Sequence, residues 1–310
     1  MPLVECVPNF SEGRRTEVIE AIVEAVRRSG PVRVLDRSSD VDHNRTVLTL
    51  AGTPDAVRAA VDALVAAAVE RIDLRTHQGH HPRMGAVDVV PVVPIRDITM
   101  PECVALARGL GTSIADRHSI PVYLYEEAAT APHRRDLAAV RKGEFEGFPA
   151  KMRDPQWAPD FGPARVHPSA GCVAVGAREF LIAFNINLTT PDLEVASRIA
   201  RAIRHSSGGL RYVKAMGVML EDRKQAQVSI NMTDFRRTPL FRVYEMVRSE
   251  AERHGCGIAG SEIVGLVPQD ALFDVAAFYL RLEGADPKML FERRLEEADQ
   301  GSTGGNTRKN

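Results

Sequence analysis

The sequence predicts an α/β (α+β) protein built from two ferredoxin-like βαββαβ domains, and three observations lead there. Strand and helix periodicities occur in the order β-α-β-β-α-β, the same order begins again after residue 178, and 44% of the 310 residues are apolar. A chain of this length and apolar content can fill a core in each half. Charge is balanced, with 40 basic against 41 acidic residues and a formal net charge of -1. That balance gives no overall attraction to nucleic acid or to an anionic membrane surface.

In the first half, Leu3 to Val7 reads as a strand, Thr16 to Arg28 as an amphipathic helix, and Val32 to Asp36 and Thr46 to Leu50 as two further strands. Pro54 to Glu70 carries Val57, Val61, Leu64, Val65 and Ala68 at helical spacing, and Val87 to Val93 returns as a strand. Thr99 and Glu102 have the spacing of a capping box, in which each side chain satisfies an orphan amide, so a further helix runs from there to about Asp116. Val122 to Tyr125 is an additional strand. Pro132, Pro149, Pro155, Pro159 and Pro163 then punctuate a stretch expected to be a long ordered loop, interrupted by a short helix near Asp136 to Arg141.

The second half repeats the order. Phe180 to Asn187 is a strand, and Pro191 to His205 a helix opened by Thr190 and by Pro191 in its first turn. Strands at Tyr212 to Leu220 and Gln227 to Met232 precede a helix at Pro239 to His254, a strand at Ile258 to Leu266 and a helix from Pro268 to about Leu280. The expected division is a first domain at 1–178 bearing the histidine-rich loop and a second at 179–285. Residues 286–310, rich in charge and glycine toward the end, are expected to form a disordered tail.

Met1 to Cys6 lacks the pattern of a secretory signal, and no apolar stretch approaches the roughly 20 residues that span a bilayer. A cytoplasmic protein without a membrane partner is the expectation. Cys6, Cys103, Cys172 and Cys256 are far apart, lack zinc-knuckle or redox spacing, and read as small core residues.

The densest group of reactive side chains is His77-Gln78-Gly79-His80-His81-Pro82-Arg83-Met84-Gly85-Ala86-Val87-Asp88, between the second helix and the fourth strand. Taken alone, this loop leaves three readings open. His77, His80 and His81 could hold a metal, although Gly79 and Pro82 oppose the helix that the strong zinc signature needs. They could be solvated loop residues. Or one imidazole, directed by the restriction Pro82 places on His81, could remove and return a proton near neutral pH. Three other segments sit at strand ends, where binding groups concentrate. The first holds Asn9, Ser11 and Glu12, which could also cap the first helix. The second is the polar run from Asp36 to Thr46. The third closes the proline-rich stretch from Asp160 to Gly171.

On these residues the chain resembles the formiminotransferase family, whose members are glutamate formimidoyltransferases. The similar segments are Val4 to Gly13, Asn44-Arg45-Thr46, His81-Pro82-Arg83-Met84-Gly85, Trp157 to Pro163, Phe180 to Leu188 and Val264 to Pro268, in order, and the match covers residues 3 to 281. The resemblance implies a homodimer of two-domain subunits with a cleft between the domains for folate. It also implies transfer of a formimino group between N-formimino-L-glutamate and tetrahydrofolate as co-substrate, without a metal. The family's catalytic histidine falls on His81, and its folate-binding stretch on Gly162, Pro163, Ala164, Arg165, Val166, His167, Pro168, Ser169, Ala170 and Gly171. This chain departs from the pattern in carrying Ser38 where an acidic residue can stand, and Ala170 where an aromatic can precede the last glycine. Cyclodeamination, the second activity of the animal enzymes, is expected of a separate protein.

Transfer of this kind needs one group that takes a proton from N5 of the folate and returns it to the glutamate nitrogen, which suits His81. A carboxylate beside a cationic amidine would help. Among Asp40, Asp42, Glu12 and Asp88 the expected one is Asp42. Guanidinium groups can grip the glutamate carboxylates, and Arg45 and Arg83 are the expected pair, with Asn9 and Glu12 also placed among the binding residues. The competing readings are a metal-dependent hydrolase of formiminoglutamate, a non-catalytic folate-binding protein, and transfer of a formyl group on the same fold.

Overall fold

The computed structural model describes the backbone of residues 1–303 and the side chains of residues 1–298. The chain forms two compact units, residues 1–180 and residues 181 onward.

The first unit opens with β1 (Leu3–Cys6) and β2 (Asn9–Phe10), followed by α1 (Thr16–Arg28), β3 (Arg33–Asp40), β4 (Arg45–Gly52), α2 (Pro54–Arg71) and β5 (Val87–Arg96). β1 and β2 are successive pieces of one strand position, and both lie between β4 and β5, antiparallel to each. Pro8, which has no amide proton, separates them, and its carbonyl still accepts from Leu48 N at 3.0 Å. With β3 paired outside β4, these strands have the ferredoxin-like order. α3 (Met100–His118), capped by the Thr99–Glu102 box, leads to β6 (Val122–Glu126). β7 (Val173–Ala177), a strand that the sequence pattern does not single out, inserts between β5 and β6, parallel to both. β7 is buried along its whole length, so it shows no alternation to reveal it.

One face of this sheet packs on α1, α2 and α3. Val4, Cys6, Phe10, Leu48, Leu50, Val90, Val92, Leu124 and Val175 meet Ile22, Val26, Leu64, Leu110 and Ile114 there. The expected long loop builds part of the other face. It contains α4 (Leu137–Arg141), opened by Asp136, and a second helix, α5 (Glu144–Lys151), which Gly147 and Pro149 conceal from propensity. Val140 of α4 and Phe148 of α5 pack with Met84, Val89, Tyr123, Tyr125, Cys172 and Ala174.

The second unit contains β8 (Ile182–Leu188), α6 (Leu193–Ile203), β9 (Val213–Leu220), β10 (Gln225–Met232), α7 (Leu240–Arg253), β11 (Ile258–Val264) and α8 (Gln269–Leu280). Its sheet runs β11-β8-β10-β9, fully antiparallel, which is the ferredoxin-like order again. α6 starts two residues later than Pro191, because the Asp192 side chain accepts from Glu194 N at 2.8 Å and so caps it. The expected tail begins instead with a turn at Pro287–Met289 and a helix, α9 (Phe291–Thr303). The part of that expectation covering residues 304–310 lies outside the described residues. No helix among the described residues is long and apolar enough to cross a membrane.

Candidate active site

Three loops of the first unit are joined by Asn44. It sits at φ 48°, a left-handed conformation asparagine tolerates better than most residues. Its Oδ1 accepts from Gly13 N and its Nδ2 donates to the carbonyl of Gln78, both at 2.9 Å. Its own carbonyl lies 2.9 Å from Nε2 of His77. Gly13 and Gly79 are required by this approach, since a β-carbon at either would overlap the carbonyl oxygen of Asp40 or His43. The loops of residues 11–15, 40–45 and 77–81 therefore meet backbone to backbone.

Within that frame His77 is structural. Arg83 Nε donates to its Nδ1 at 3.1 Å, so the proton sits on Nε2 and points at Asn44. Burial pushes its pKa below the ordinary value. Arg83, expected to grip substrate, is committed elsewhere. Its Nη1 and Nη2 hold Glu146 at 3.1 and 2.7 Å, and further bonds run to Glu144 and to the carbonyl of His77. This buried guanidinium ties the histidine loop to α5 and presents no free edge to a ligand.

His81 is 8% exposed. Its Nε2 lies 3.4 Å from Oδ2 of Asp88, and Nη1 of Arg45 lies 3.2 Å from each ring nitrogen. Asp88 is placed by a bulge in β5: Val87 pairs with Phe10 and Val89 with Asn9, so Asp88 is the extra residue. A bulge re-aims the side chain at that point. Asp88 is completely buried, accepting from Met84 N at 2.8 Å through Oδ1 and from Arg141 Nη2 at 2.5 Å through Oδ2. Burial opposes its charge, but Arg141, His81 and the Met84 amide together hold the carboxyl below its usual range. An ionised carboxylate only accepts, so it fixes the proton of a neutral His81 on Nε2 and leaves the lone pair on Nδ1. Burial lowers the pKa of His81 below its ordinary value. The Asp88 hydrogen bond works against that, and the charges of Arg45 and Arg141 reinforce it.

Asp42 does not fill the carboxylate role expected of it. It is exposed, with its backbone carbonyl accepting from His80 N at 3.0 Å, and the carboxylate at His81 is Asp88. Glu12, 2% exposed, accepts from the amides of Arg14 and Arg15 and from Nε of Arg15, so its carboxylate is engaged by the turn that leads into α1. Asn9 is buried beside Val89, its Nδ2 donating to the carbonyl of Val7 at 2.8 Å. Among the described residues no group of three His, Cys, Asp or Glu side chains is arranged to hold a metal ion.

The stretch from Gly162 to Gly171 comes back to this centre. Gly171 pairs with Gly85, Ala86 N donates to the Ala170 carbonyl at 2.9 Å, and Leu74 N donates to that of Ser169 at 2.8 Å. His167 turns the loop by accepting from Ala170 N at 3.0 Å through Nδ1, and burial lowers its pKa. Val166 packs on the cluster of Met84 and Phe148. Ala170 is buried in the helix-side core, so its side chain is a packing residue. Pro163, Ala164, Arg165, Pro168 and Ser169 are partly or fully exposed. Sequence reasoning passed over Arg141 and Asn44. Arg141 closes a contact across 53 residues that no local spacing records, whereas Asn44 sits in a polar turn whose only local signal is that asparagine suits φ above zero.

The model of the formiminotransferase domain's N-terminal subdomain matches residues 3–178, and that of the formiminotransferase domain matches residues 183–293. Glutamate formimidoyltransferase of Streptococcus pyogenes serotype M1 is 49% identical over 294 residues, covering 94% of this chain and 98% of that protein. The Thermoplasma acidophilum protein of the same name is 47% identical over 300 residues, covering 96% and 99%. Formimidoyltransferase-cyclodeaminase of Rattus norvegicus is 46% identical over 283 residues, spanning 89% of this chain and 52% of the rat protein. With both halves matched in order around the His81 and Asp88 pair, this chain belongs to the formiminotransferase family.

Proposed function

We propose that the chain is a glutamate formimidoyltransferase that moves the formimino group between N-formimino-L-glutamate and tetrahydrofolate, acting in the cytoplasm as a homodimer in histidine degradation. The observation that carries this reading is a neutral, buried imidazole whose Nε2 is held by an ionised Asp88, with the Arg45 guanidinium beside both of its ring nitrogens. It agrees with the names of the relatives that align over almost the whole chain.

His81 takes the proton that N5 of the folate loses as it bonds to the amidine carbon. It then gives that proton to the glutamate nitrogen, whose bond to the same carbon breaks, leaving 5-formiminotetrahydrofolate and glutamate. Asp88 stabilises the imidazolium between the two transfers and holds the ring in one orientation. Arg45 is placed to take a substrate carboxylate beside His81. The 162–171 stretch, anchored to Met84 and Ala86 through its buried end at Ala170 and Gly171, is assigned to the folate, which would meet its exposed residues. No metal enters these steps.

The test is turnover of formiminoglutamate by purified, chelator-treated protein, with and without tetrahydrofolate. Transfer predicts activity that requires the folate and survives the chelator. His81→Ala is expected to lose about 100-fold or more in kcat with folding intact. Activity without folate, or a fully active His81→Ala, refutes the assignment.

A further inference from the structure

Arg141 reaches the site from α4, and its tie to Asp88 uses only one of the donors of a guanidinium. Its Nε is shielded from solvent and has no acceptor. Arg45 contributes Nη1 to the ring of His81 and is itself pulled below its ordinary pKa by burial. Arg45 and Arg141 are positive, Asp88 is negative and His81 is neutral, so the buried groups in contact leave one positive charge, which Asp40, 54% exposed and further from Arg45, offsets only in part. Such a charge is costly unless an anion compensates it. Arg83 is already neutralised by Glu144 and Glu146.

We propose that Arg141, together with Arg45, forms the cradle for the α-carboxylate of the amino-acid substrate, with Arg141 as its specificity-determining cation. The proposal rests on the transfer reading above. Chemistry selects the α-carboxylate over the γ-carboxylate. A single carbon joins the α-carboxylate to the nitrogen that must receive the proton from His81. A cation pair that touches both His81 and Asp88 can hold that carboxylate only by bringing the leaving nitrogen against the imidazole. The γ-carboxylate, at the end of a flexible side chain, imposes no such placement. Arg141 is also held firmly enough to orient a ligand. The Asp136 side chain caps α4 at the Ala138 amide, and Lys151 Nζ donates to the carbonyls of Ala139, Val140 and Lys142 at 2.7, 2.5 and 3.1 Å.

The test is calorimetric binding of L-glutamate, and separately of tetrahydrofolate, to wild type, Arg141→Gln and Arg141→Lys. Arg141→Gln is expected to weaken glutamate about 30-fold or more, on the scale of a lost charged hydrogen-bonded pair, while folate binding stays within threefold. Arg141→Lys keeps Asp88 paired but lacks the planar fork. It should weaken glutamate by about 5- to 10-fold and raise KM for formiminoglutamate more than it lowers kcat. If Arg141→Gln fails to fold, Arg141→Lys carries the test alone. 4-Aminobutyrate, which is glutamate without its α-carboxylate, should bind weakly and equally to wild type and variants. Wild-type affinity for glutamate in Arg141→Lys, or an equal loss for 4-aminobutyrate, overturns the proposal. A wild type that binds glutamate but never transfers the formimino group would overturn the functional reading instead.

Discussion

Asp88→Asn tests the centre most directly, because it changes one atom of a completely buried group. The amide oxygen can keep the bond from Met84 N, now 2.8 Å from Oδ1. The amide nitrogen would then face Nη2 of Arg141 and Nε2 of His81, turning two attractions into two donor-donor contacts. Leaving a buried cation without its partner costs about 3 to 5 kcal/mol, and the retained bond puts the expected loss near the lower end, about 3 kcal/mol. The imidazole loses the acceptor that fixes its tautomer, for which a fall in kcat of about 1,000-fold or more is expected. Asp88 also raises the pKa of His81, so its removal lets burial and the arginines depress that pKa further. The acidic limb of the rate profile should therefore move to lower pH while kcat collapses. Urea unfolding, kcat and the pH profile of kcat would be measured on the same preparation. A variant with kcat within 10-fold of wild type and an unmoved acidic limb would show that Asp88 does not orient His81.

Three further substitutions test the framework. Burial raises the pKa of Glu5 from 4.5 to about 7, against the opposing charge of Arg178. A raised carboxyl contributes stability below its unfolded pKa and loses it as pH rises toward 7, so the ionised form burdens the fold above that. Glu5→Gln should then be more stable than wild type at pH 8 by up to roughly 3 kcal/mol, with the difference vanishing near pH 4.5 in urea titrations; equal stability at both pH values would contradict this. Gly85→Ala should cost about 3 kcal/mol, because its β-carbon would overlap the carbonyls of Cys172 and Val87. Gly147→Ala, in α5 with open space around it, should gain about 0.5 to 1 kcal/mol, and a similar effect of both in thermal melts would refute the packing argument.

Much of the fold was legible because the strands and helices that form the two ferredoxin-like sheets alternate or repeat at their own periods. α2 and α3 show it plainly, with apolar faces on Val57, Val61 and Leu64 and on Leu106 and Leu110, and with Thr53 and Thr99 capping them. β7 was not legible, since a strand buried on both faces has no alternation to detect. α5 was hidden by Gly147 and Pro149, and its stability comes from Phe148 in the core and from the grip of Glu144 and Glu146 on Arg83. In the site, His81 stood out through its neighbours in the loop, but its partners did not. Asp42 and Asp88 look alike as carboxylates. Only the bulge between Val87 and Val89 turns Asp88 inward, and a bulge is a property of pairing with Asn9 and Phe10 rather than of local spacing. The pairing of Arg83 was hidden for the complementary reason, as its acidic partners lie 61 and 63 residues away.

In the proposed mechanism the charges around His81 also give a reason for placing a base beside two arginines. A base of the usual imidazole pKa would be partly protonated near neutral pH, and each protonated molecule would be unable to accept from N5. Burial and the two guanidiniums lower that pKa, so the ring is neutral in the resting site. In the proposed mechanism, once it had taken the proton, the same forces would make it a stronger acid, ready to release the proton to the departing nitrogen. Unchecked, they would make the first transfer too weak. Asp88 supplies the counterweight, favouring the imidazolium through Nε2 without itself taking the proton, because Arg141 and the Met84 amide keep it ionised. A substrate carboxylate bound by Arg45 and Arg141 would cancel the excess charge and raise the pKa of His81. The histidine would then be a better base with substrate in place than in the free protein.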